Sequence, residues 1–145
     1  MIHALSAHWI DIQTADTPKT VINVSSTSGL HGQMGQISYS TAKSGILGLT
    51  KTVVAEYTVR CSAVAYGWMD TRLTKPPTEE KVMLAEQNIV TGIPANARKF
   101  RDTSDIPLGR PDTVDGAANV TLCLAGPVSF YVTATYIECT KGKYM

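Results

Sequence analysis

The amino-acid sequence predicts an α/β protein in which helices cover a parallel β-sheet. Three short segments predict strands: an apolar, β-branched run at residues 21–24, a second short run at 59–64, and a run of β-branched and aromatic residues at 131–138. Stretches with helical spacing of apolar side chains lie between these runs, so strands and helices alternate along the chain. Such alternation is typical of a parallel sheet whose strands are joined by right-handed crossovers.

The first part of the chain predicts a helix, a strand, a loop and a second helix. Residues 1–12 repeat apolar side chains at helical spacing, which predicts the end of a helix, and a loop follows at 14–19. After the first strand, residues 27–36 are rich in Gly, Ser and Gln and predict another loop. Residues 38–56 predict a helix with small residues along one side. Helical glycine costs about 1 kcal/mol against alanine, so this small-residue side indicates close packing.

The second part predicts a long connection, a helix and the last strand. Residues 70–105 are polar and proline-containing, and we expect a short helix at 79–90 within them. A further helix is predicted from Pro111, with Asp112 and Asp115 in its first turn, and it stops at Gly126. We expect residues 1–145 to belong to one domain.

Composition narrows the class of function. The formal net charge is +1 and the basic residues are scattered, so neither nucleic acid nor an anionic membrane is expected as a partner. The three cysteines and three histidines show no metal-ligand spacing, and no metal is expected. No window of 18 apolar residues and no signal peptide occur. We therefore expect a cytoplasmic protein.

Tyr39 and Lys43 form the sharpest local pattern. Four residues apart on a helix, the phenol and the ammonium project from one face. The ammonium stabilises a phenolate, so the tyrosine can give a proton to a carbonyl under reduction or take one from an alcohol under oxidation. By itself, a Tyr-x-x-x-Lys pair is also common on ordinary helix surfaces.

Ser26 is a second candidate, at the end of the first strand and thirteen residues before Tyr39. The carboxyl edge of a parallel sheet is where open α/β folds bind ligands, so its hydroxyl would hold a substrate oxygen there. The alternative is a turn or cap serine. A hydrolase built on Ser26 and Lys43 is a further alternative, but no G-x-S-x-G elbow and no suitably placed acid or histidine accompanies them.

These residues lie in longer segments that resemble one family. Residues 22–51 read INVSSTSGLHGQMGQISYSTAKSGILGLTK and residues 59–74 read VRCSAVAYGWMDTRLT. Both resemble the short-chain dehydrogenase/reductase family, in its branch of 3-oxoacyl-carrier-protein reductases. The resemblance implies the C-terminal portion of a Rossmann-like, doubly wound parallel sheet, with about three strands and three helices.

The resemblance also implies roles for individual residues. Tyr39 would be the acid/base, Lys43 would stabilise its anion and bind the nicotinamide ribose, and Ser26 would orient the substrate carbonyl. The nicotinamide of NAD or NADP would contact a short stretch after the second strand: Gly67, Met69 and Thr71. Residues 72–101, within the connection near 70–105, would form a lid over the substrate.

The chain departs from the family pattern in its cofactor-binding motifs. The T-G-x-x-x-G-x-G turn that holds the pyrophosphate does not occur in the sequence, and Tyr66 stands where the family has proline. The expected function is interconversion of a carbonyl, with a 3-oxoacyl thioester as one candidate, and a secondary alcohol. The alternative is a truncated, non-catalytic fragment that associates with intact relatives. For either, we expect a homo-oligomer or pairing with a full-length relative.

Overall fold

A computed structural model of the chain describes residues 19–57, 59–71, 74 and 103–144, and the backbone alone of 81–84 and 87–90. The helix predicted at residues 1–12 and most of the predicted lid lie outside the described residues. In chain order the elements are β1 (Thr20–Ser26), α1 (Thr27–His31), α2 (Ile37–Tyr57), β2 (Arg60–Tyr66), β3 (Lys81–Leu84), β4 (Gln87–Val90), α3 (Val114–Ala125) and β5 (Tyr136–Cys139), with 3₁₀ turns at Thr103–Asp105 and Pro127–Ser129.

These elements belong to two compact units. One lies within Met1–Gly67 and Ala118–Cys139, and the other within Trp68–Ala117 and Thr140–Met145. None of the helices among the described residues is long and apolar enough to cross a membrane.

The first unit contains a parallel sheet with strand order β1-β2-β5. β1 pairs with β2 along seven residues, from Thr20 opposite Arg60 to Ser26 opposite Tyr66. β2 is central, and five consecutive residues, from Cys61 to Ala65, are buried. Burial on both faces is what a continuous apolar run in a parallel sheet produces. The predicted alternation of parallel strands and helices is confirmed.

The core of this unit lies where α2 crosses the sheet. Val53 of α2 packs with Val59 and Cys61, all nearly inaccessible to solvent. Asn23 donates one hydrogen bond to Thr50 Oγ1, at 3.0 Å, and another to Cys61 Sγ, at 3.4 Å, so the polar groups at this contact have partners. Burial raises the pKa of the Cys61 thiol, and a hydrogen bond with Thr50 opposes this effect without outweighing it. The raised pKa keeps the thiol in its neutral form.

The loop predicted at residues 27–36 begins instead with the short helix α1. Ser26 caps it, since its Oγ accepts a hydrogen bond from the backbone N–H of Ser28 at 3.2 Å. A helix of five residues is too short to show a periodic pattern, and it is stabilised by packing against α2 rather than by propensity. Only the remainder of the segment, Gly32–Gln36, is irregular.

In the second unit, the prediction of a helix at residues 79–90 is wrong. The backbone there forms an antiparallel hairpin, in which β3 pairs with β4 from Lys81 opposite Val90 to Leu84 opposite Gln87. Two residues separate the strands, the shortest common hairpin connection. Val82, Ile89 and Val90 are β-branched, and this preference for strand outweighs the helix-forming residues of the segment.

α3 begins three residues later than the sequence predicts. Thr113 acts as its cap, because Thr113 Oγ1 accepts a hydrogen bond from the N–H of Gly116 at 3.1 Å. Asp112 therefore precedes the helix, and its carboxylate lies 3.2 Å from Lys141 Nζ, whereas Asp115 lies in the first turn as predicted. The predicted end at Gly126 is confirmed.

β5 is half as long as predicted, because the backbone turns at Ala134. Ala134 has a φ of 55°, in the left-handed region that an extended strand cannot contain. Its N–H donates to Cys61 O at 2.8 Å, and the regular pairing of β5 with β2 starts two residues later, at Tyr136. The β-branched residues before this point predict a strand that the left-handed residue prevents.

The strain at Ala134 gives a prediction with a definite sign. Left-handed backbone costs an L-residue about 1–2 kcal/mol, and glycine avoids that cost while losing about 0.5–1 kcal/mol in additional chain entropy. We expect Ala134→Gly to stabilise the chain by about 0.5–1 kcal/mol in urea unfolding. The control Ala118→Gly, on the exposed side of α3, should destabilise it by about 1 kcal/mol. Destabilisation by both substitutions would contradict the account.

Candidate active site

The candidate residues Ser26, Tyr39 and Lys43 lie in the first unit, at the carboxyl end of β1 and in the first two turns of α2. α1 connects them, since it follows β1 directly and packs against α2. β1 therefore positions Ser26, and α2 positions Tyr39 and Lys43.

The Lys43 side chain contacts both β1 and Tyr39. Its Nζ donates a hydrogen bond to the backbone oxygen of Val24 at 2.9 Å, and it lies 5.7 Å from the centre of the Tyr39 ring. This is within the range of a cation–π contact. The four-residue spacing thus places the ammonium and the phenol together, as the sequence predicts. Tyr39 is 46% exposed, so the residue is not enclosed by the fold.

Ser25 holds the backbone of Lys43 in place. Its side chain is buried, and its Oγ donates to the carbonyl oxygen of Lys43 at 2.7 Å. Together with the bond from Lys43 Nζ to Val24 O, this attaches one residue of α2 to two successive residues of β1. The sequence alone does not indicate this role of Ser25, because a bond across eighteen positions has no local signal.

Ser26 is buried and fills the cap position described above. Its Oγ accepts the Ser28 N–H through a lone pair, which leaves the hydroxyl hydrogen for a substrate oxygen. Ser26 can therefore cap α1 and donate a hydrogen bond to a substrate at the same time. Lys43 Nζ bonds to Val24 O rather than to Ser26 Oγ, so Lys43 is not placed as the base of a serine hydrolase.

Gly29 permits the contact between α1 and α2. A Cβ at this position would lie 2.6 Å from the carbonyl carbon of Lys43 and 2.7 Å from the N of Ser44, both backbone atoms. No side chain can occupy that space unless the helices separate. The glycine-rich composition of the segment suggested a loop, whereas one of its glycines is required by packing beside Lys43.

The residues proposed by resemblance to contact nicotinamide fall in both units. Gly67 follows β2 in the first unit, where its N–H donates to Cys139 O at 3.0 Å. Met69 and Thr71 belong to the second unit. There Met69 is buried and bridges to Asp112, and the Thr71 N–H donates to Thr74 Oγ1 at 2.9 Å. Thr74 is a further residue of this turn that the sequence did not identify.

Tyr66, which replaces a family proline, has a structural partner. Its hydroxyl lies 2.5 Å from Thr121 Oγ1 on α3, within the first unit. The side chain thereby links the end of β2 to the helix that precedes β5.

Comparison with known proteins identifies the family. A family model described as short chain dehydrogenase matches residues 2–82, more than half of the chain. The chain belongs to the short chain dehydrogenases.

Its relatives in this family include enzymes of the predicted branch. The chain is 32% identical over 127 residues to a 3-oxoacyl-[acyl-carrier-protein] reductase of Aquifex aeolicus, covering 86% of this chain and 44% of that protein. It is 33% identical over 129 residues to a (3R)-3-hydroxyacyl-CoA dehydrogenase of Homo sapiens, covering 87% and 43%. The chain thus spans less than half the length of these curated relatives.

Solved structures agree in fold. A 3-ketoacyl-(acyl-carrier-protein) reductase of Brucella melitensis, complexed with NADH, matches the whole chain and 52% of its own, with a TM-score of 0.75 and 18% identity. A short chain dehydrogenase of Bacillus anthracis matches 99% of this chain and 48% of its own, with a TM-score of 0.69 and 22% identity. The predicted Rossmann-like fold class is confirmed.

The close approach at Gly29 can be tested by substitution. We expect Gly29→Ala to destabilise the chain by about 2 kcal/mol, because the added methyl overlaps backbone atoms of α2. Gly45→Ala is the matched control, since a Cβ there meets nothing within 4 Å and helical alanine is favoured by about 1 kcal/mol. The measurement is urea unfolding, and a stabilising effect of Gly29→Ala would be inconsistent with the packing described.

Proposed function

We propose that this chain carries the proton-transfer and nicotinamide-side residues of an NAD(P)-dependent oxidoreductase that interconverts a carbonyl and a secondary alcohol. The observation that carries the proposal is the Tyr39–Lys43 pair, with Lys43 Nζ fixed to Val24 O and 5.7 Å from the Tyr39 ring. The names of the relatives, which act on 3-oxoacyl or 3-hydroxyacyl groups, support a 3-oxoacyl thioester as substrate.

Tyr39 has the position and exposure of a proton donor. In the reducing direction its hydroxyl gives a proton to the oxygen of the carbonyl, and in the oxidising direction its anion takes the proton of the alcohol. Lys43 stabilises the anion by its charge. Ser26 donates its single hydroxyl hydrogen, which is not used in the contact with Ser28, to the same substrate oxygen. Nicotinamide, when bound, supplies or accepts the hydride.

The residues present fit the nicotinamide side of the cofactor. An ammonium has three N–H donors, and among the described residues Lys43 Nζ has only Val24 O as a hydrogen-bond acceptor. Two donors are therefore left for ribose hydroxyls. Thr71, which belongs to the second unit, is by resemblance a separate candidate for a nicotinamide contact. No stretch of these 145 residues has the glycine motif that binds pyrophosphate, so we expect weak binding of the whole dinucleotide by this chain alone.

Removal of the phenol tests the proton-transfer role. We expect Tyr39→Phe to lower the rate of 3-oxoacyl-CoA reduction with NADH or NADPH by at least about 100-fold, because general acid catalysis is lost. Tyr131→Phe is the matched control, since Tyr131 is a 90% exposed tyrosine elsewhere in the first unit. Equal rates in the wild-type and Tyr39→Phe chains would refute this role.

A non-catalytic function in association with intact relatives is the second candidate, and surface features of the first unit favour it. Among the described residues β1 pairs with β2 alone, Val24 is 49% exposed, and Leu49 of α2 is 43% exposed. An unpaired strand edge and apolar side chains beside it favour association with another chain. The small-residue side of α2, around Gly45 and Gly48, adds a surface that another helix can approach closely.

Association can be measured by light scattering after size exclusion. We expect a mass above the 15.6 kDa of one chain, and Gly48→Arg should reduce it. A side chain at Gly48 meets nothing within 4 Å in the chain itself, so the substitution obstructs a partner rather than the fold. Asn119→Arg, at an exposed site on α3, controls for the added charge. A monomeric wild-type chain that also fails to bind a co-expressed complete 3-oxoacyl reductase would eliminate this candidate.

A further inference from the structure

The Thr74 side chain takes part in several hydrogen bonds of the turn that follows Met69. Thr74 N donates to Thr71 O at 3.0 Å, which closes the turn. Thr74 Oγ1 lies 2.5 Å from Met69 O and 3.1 Å from Thr71 O, both acceptors. The same oxygen accepts the Thr71 N–H at 2.9 Å and lies 3.2 Å from Thr71 Oγ1. All of these atoms belong to the second unit.

The direction of the bond between the two hydroxyls follows from counting hydrogens. A threonine hydroxyl has one hydrogen and two lone pairs. The hydrogen of Thr74 is committed to a carbonyl oxygen, since Met69 O at 2.5 Å can only accept. Thr74 Oγ1 therefore accepts in its remaining contacts, and Thr71 is the donor across the 3.2 Å separation of the hydroxyl oxygens.

This assignment determines what Thr71 offers to a ligand. Its only hydroxyl hydrogen is used on Thr74, so both lone pairs of Thr71 Oγ1 remain for other groups as far as the described part of the chain is concerned. Without Thr74, the hydroxyl would rotate and act as donor or acceptor with equal ease. The bond to Thr74 thus leaves the Thr71 hydroxyl able to act towards a ligand only as a hydrogen-bond acceptor.

We infer that Thr74 is a positioning residue that makes Thr71 an acceptor for the NH₂ of the nicotinamide carboxamide. The inference rests on the proposed function, in which Thr71 lies beside nicotinamide. The inference adds to that function that Thr71 accepts, rather than donates, the hydrogen bond, and that Thr74 determines this direction. An acceptor favours the carboxamide over an acetyl group of the same shape, because the methyl in place of NH₂ has no hydrogen to donate.

Ligands that differ only in this group provide the test. The full chain, labelled with ¹⁵N, is titrated with nicotinamide mononucleotide and with its 3-acetylpyridine counterpart, which avoid the missing pyrophosphate motif. We expect the wild-type chain to prefer the carboxamide by about threefold to tenfold, the value of one neutral hydrogen bond. Thr74→Val, which lacks the hydroxyl, should bring the ratio of dissociation constants to about 1, while Thr74→Ser should retain the wild-type ratio.

The amide signal of Thr71 reports the turn independently of the ligand. We expect it to shift and to exchange faster in Thr74→Val than in Thr74→Ser, because the Thr71 N–H loses its acceptor. Equal binding of both mononucleotides by the wild-type chain, or an unchanged preference in Thr74→Val, would overturn the inference and leave the proposed function standing. A wild-type chain that binds neither mononucleotide would overturn the proposed function and the inference together.

Discussion

The attachment of Lys43 to β1 is the constraint on which the rest of the site depends. The Lys43 side chain bonds to Val24 O, and its backbone carbonyl receives the Ser25 hydroxyl. In addition, α1 packs so closely against the backbone of Lys43 that only glycine fits at position 29. The residue is therefore fixed by its side chain, by its carbonyl and by a steric contact. Because Tyr39 lies one helical turn earlier on α2, fixing Lys43 also fixes the helix backbone that carries the phenol.

The elements that the sequence predicted well are those whose pattern is long and local. The small and apolar residues of α2 repeat over five turns, β1 is a β-branched run, and β1 and β2 both have clear ends. The misassigned elements are short or depend on a single backbone geometry. Strand pairing decided the conformation at β3 and β4, a side-chain cap delayed the start of α3, and one left-handed residue shortened β5. None of these has a periodic signal.

The same distinction applies to the site. The Tyr39–Lys43 pair is predictable because four-residue spacing on a helix fixes the geometry in advance. Ser25 and Gly29 contact Lys43 across eighteen and fourteen positions, and Thr74 forms hydrogen bonds with Met69 and Thr71 outside any helix or strand. Such supporting residues depend on how elements meet, and a single sequence does not contain that information. The family pattern located the candidate residues, while the structure was needed to find the contacts that hold them.

The contacts that arrange the candidate residues Ser26, Tyr39 and Lys43 are local in the chain. Val24, Ser25, Ser26, Gly29, Tyr39 and Lys43 fall within twenty consecutive residues, and the side-chain hydrogen bonds and the ring contact that arrange Ser26, Tyr39 and Lys43 are made inside that segment. The geometry of the Tyr39–Lys43 pair therefore does not depend on the glycine motif that binds pyrophosphate in relatives. Loss of cofactor affinity and loss of acid/base geometry are separable in this fold. For this reason weak dinucleotide binding would count against efficient turnover without counting against the arrangement of Tyr39, Lys43 and Ser26.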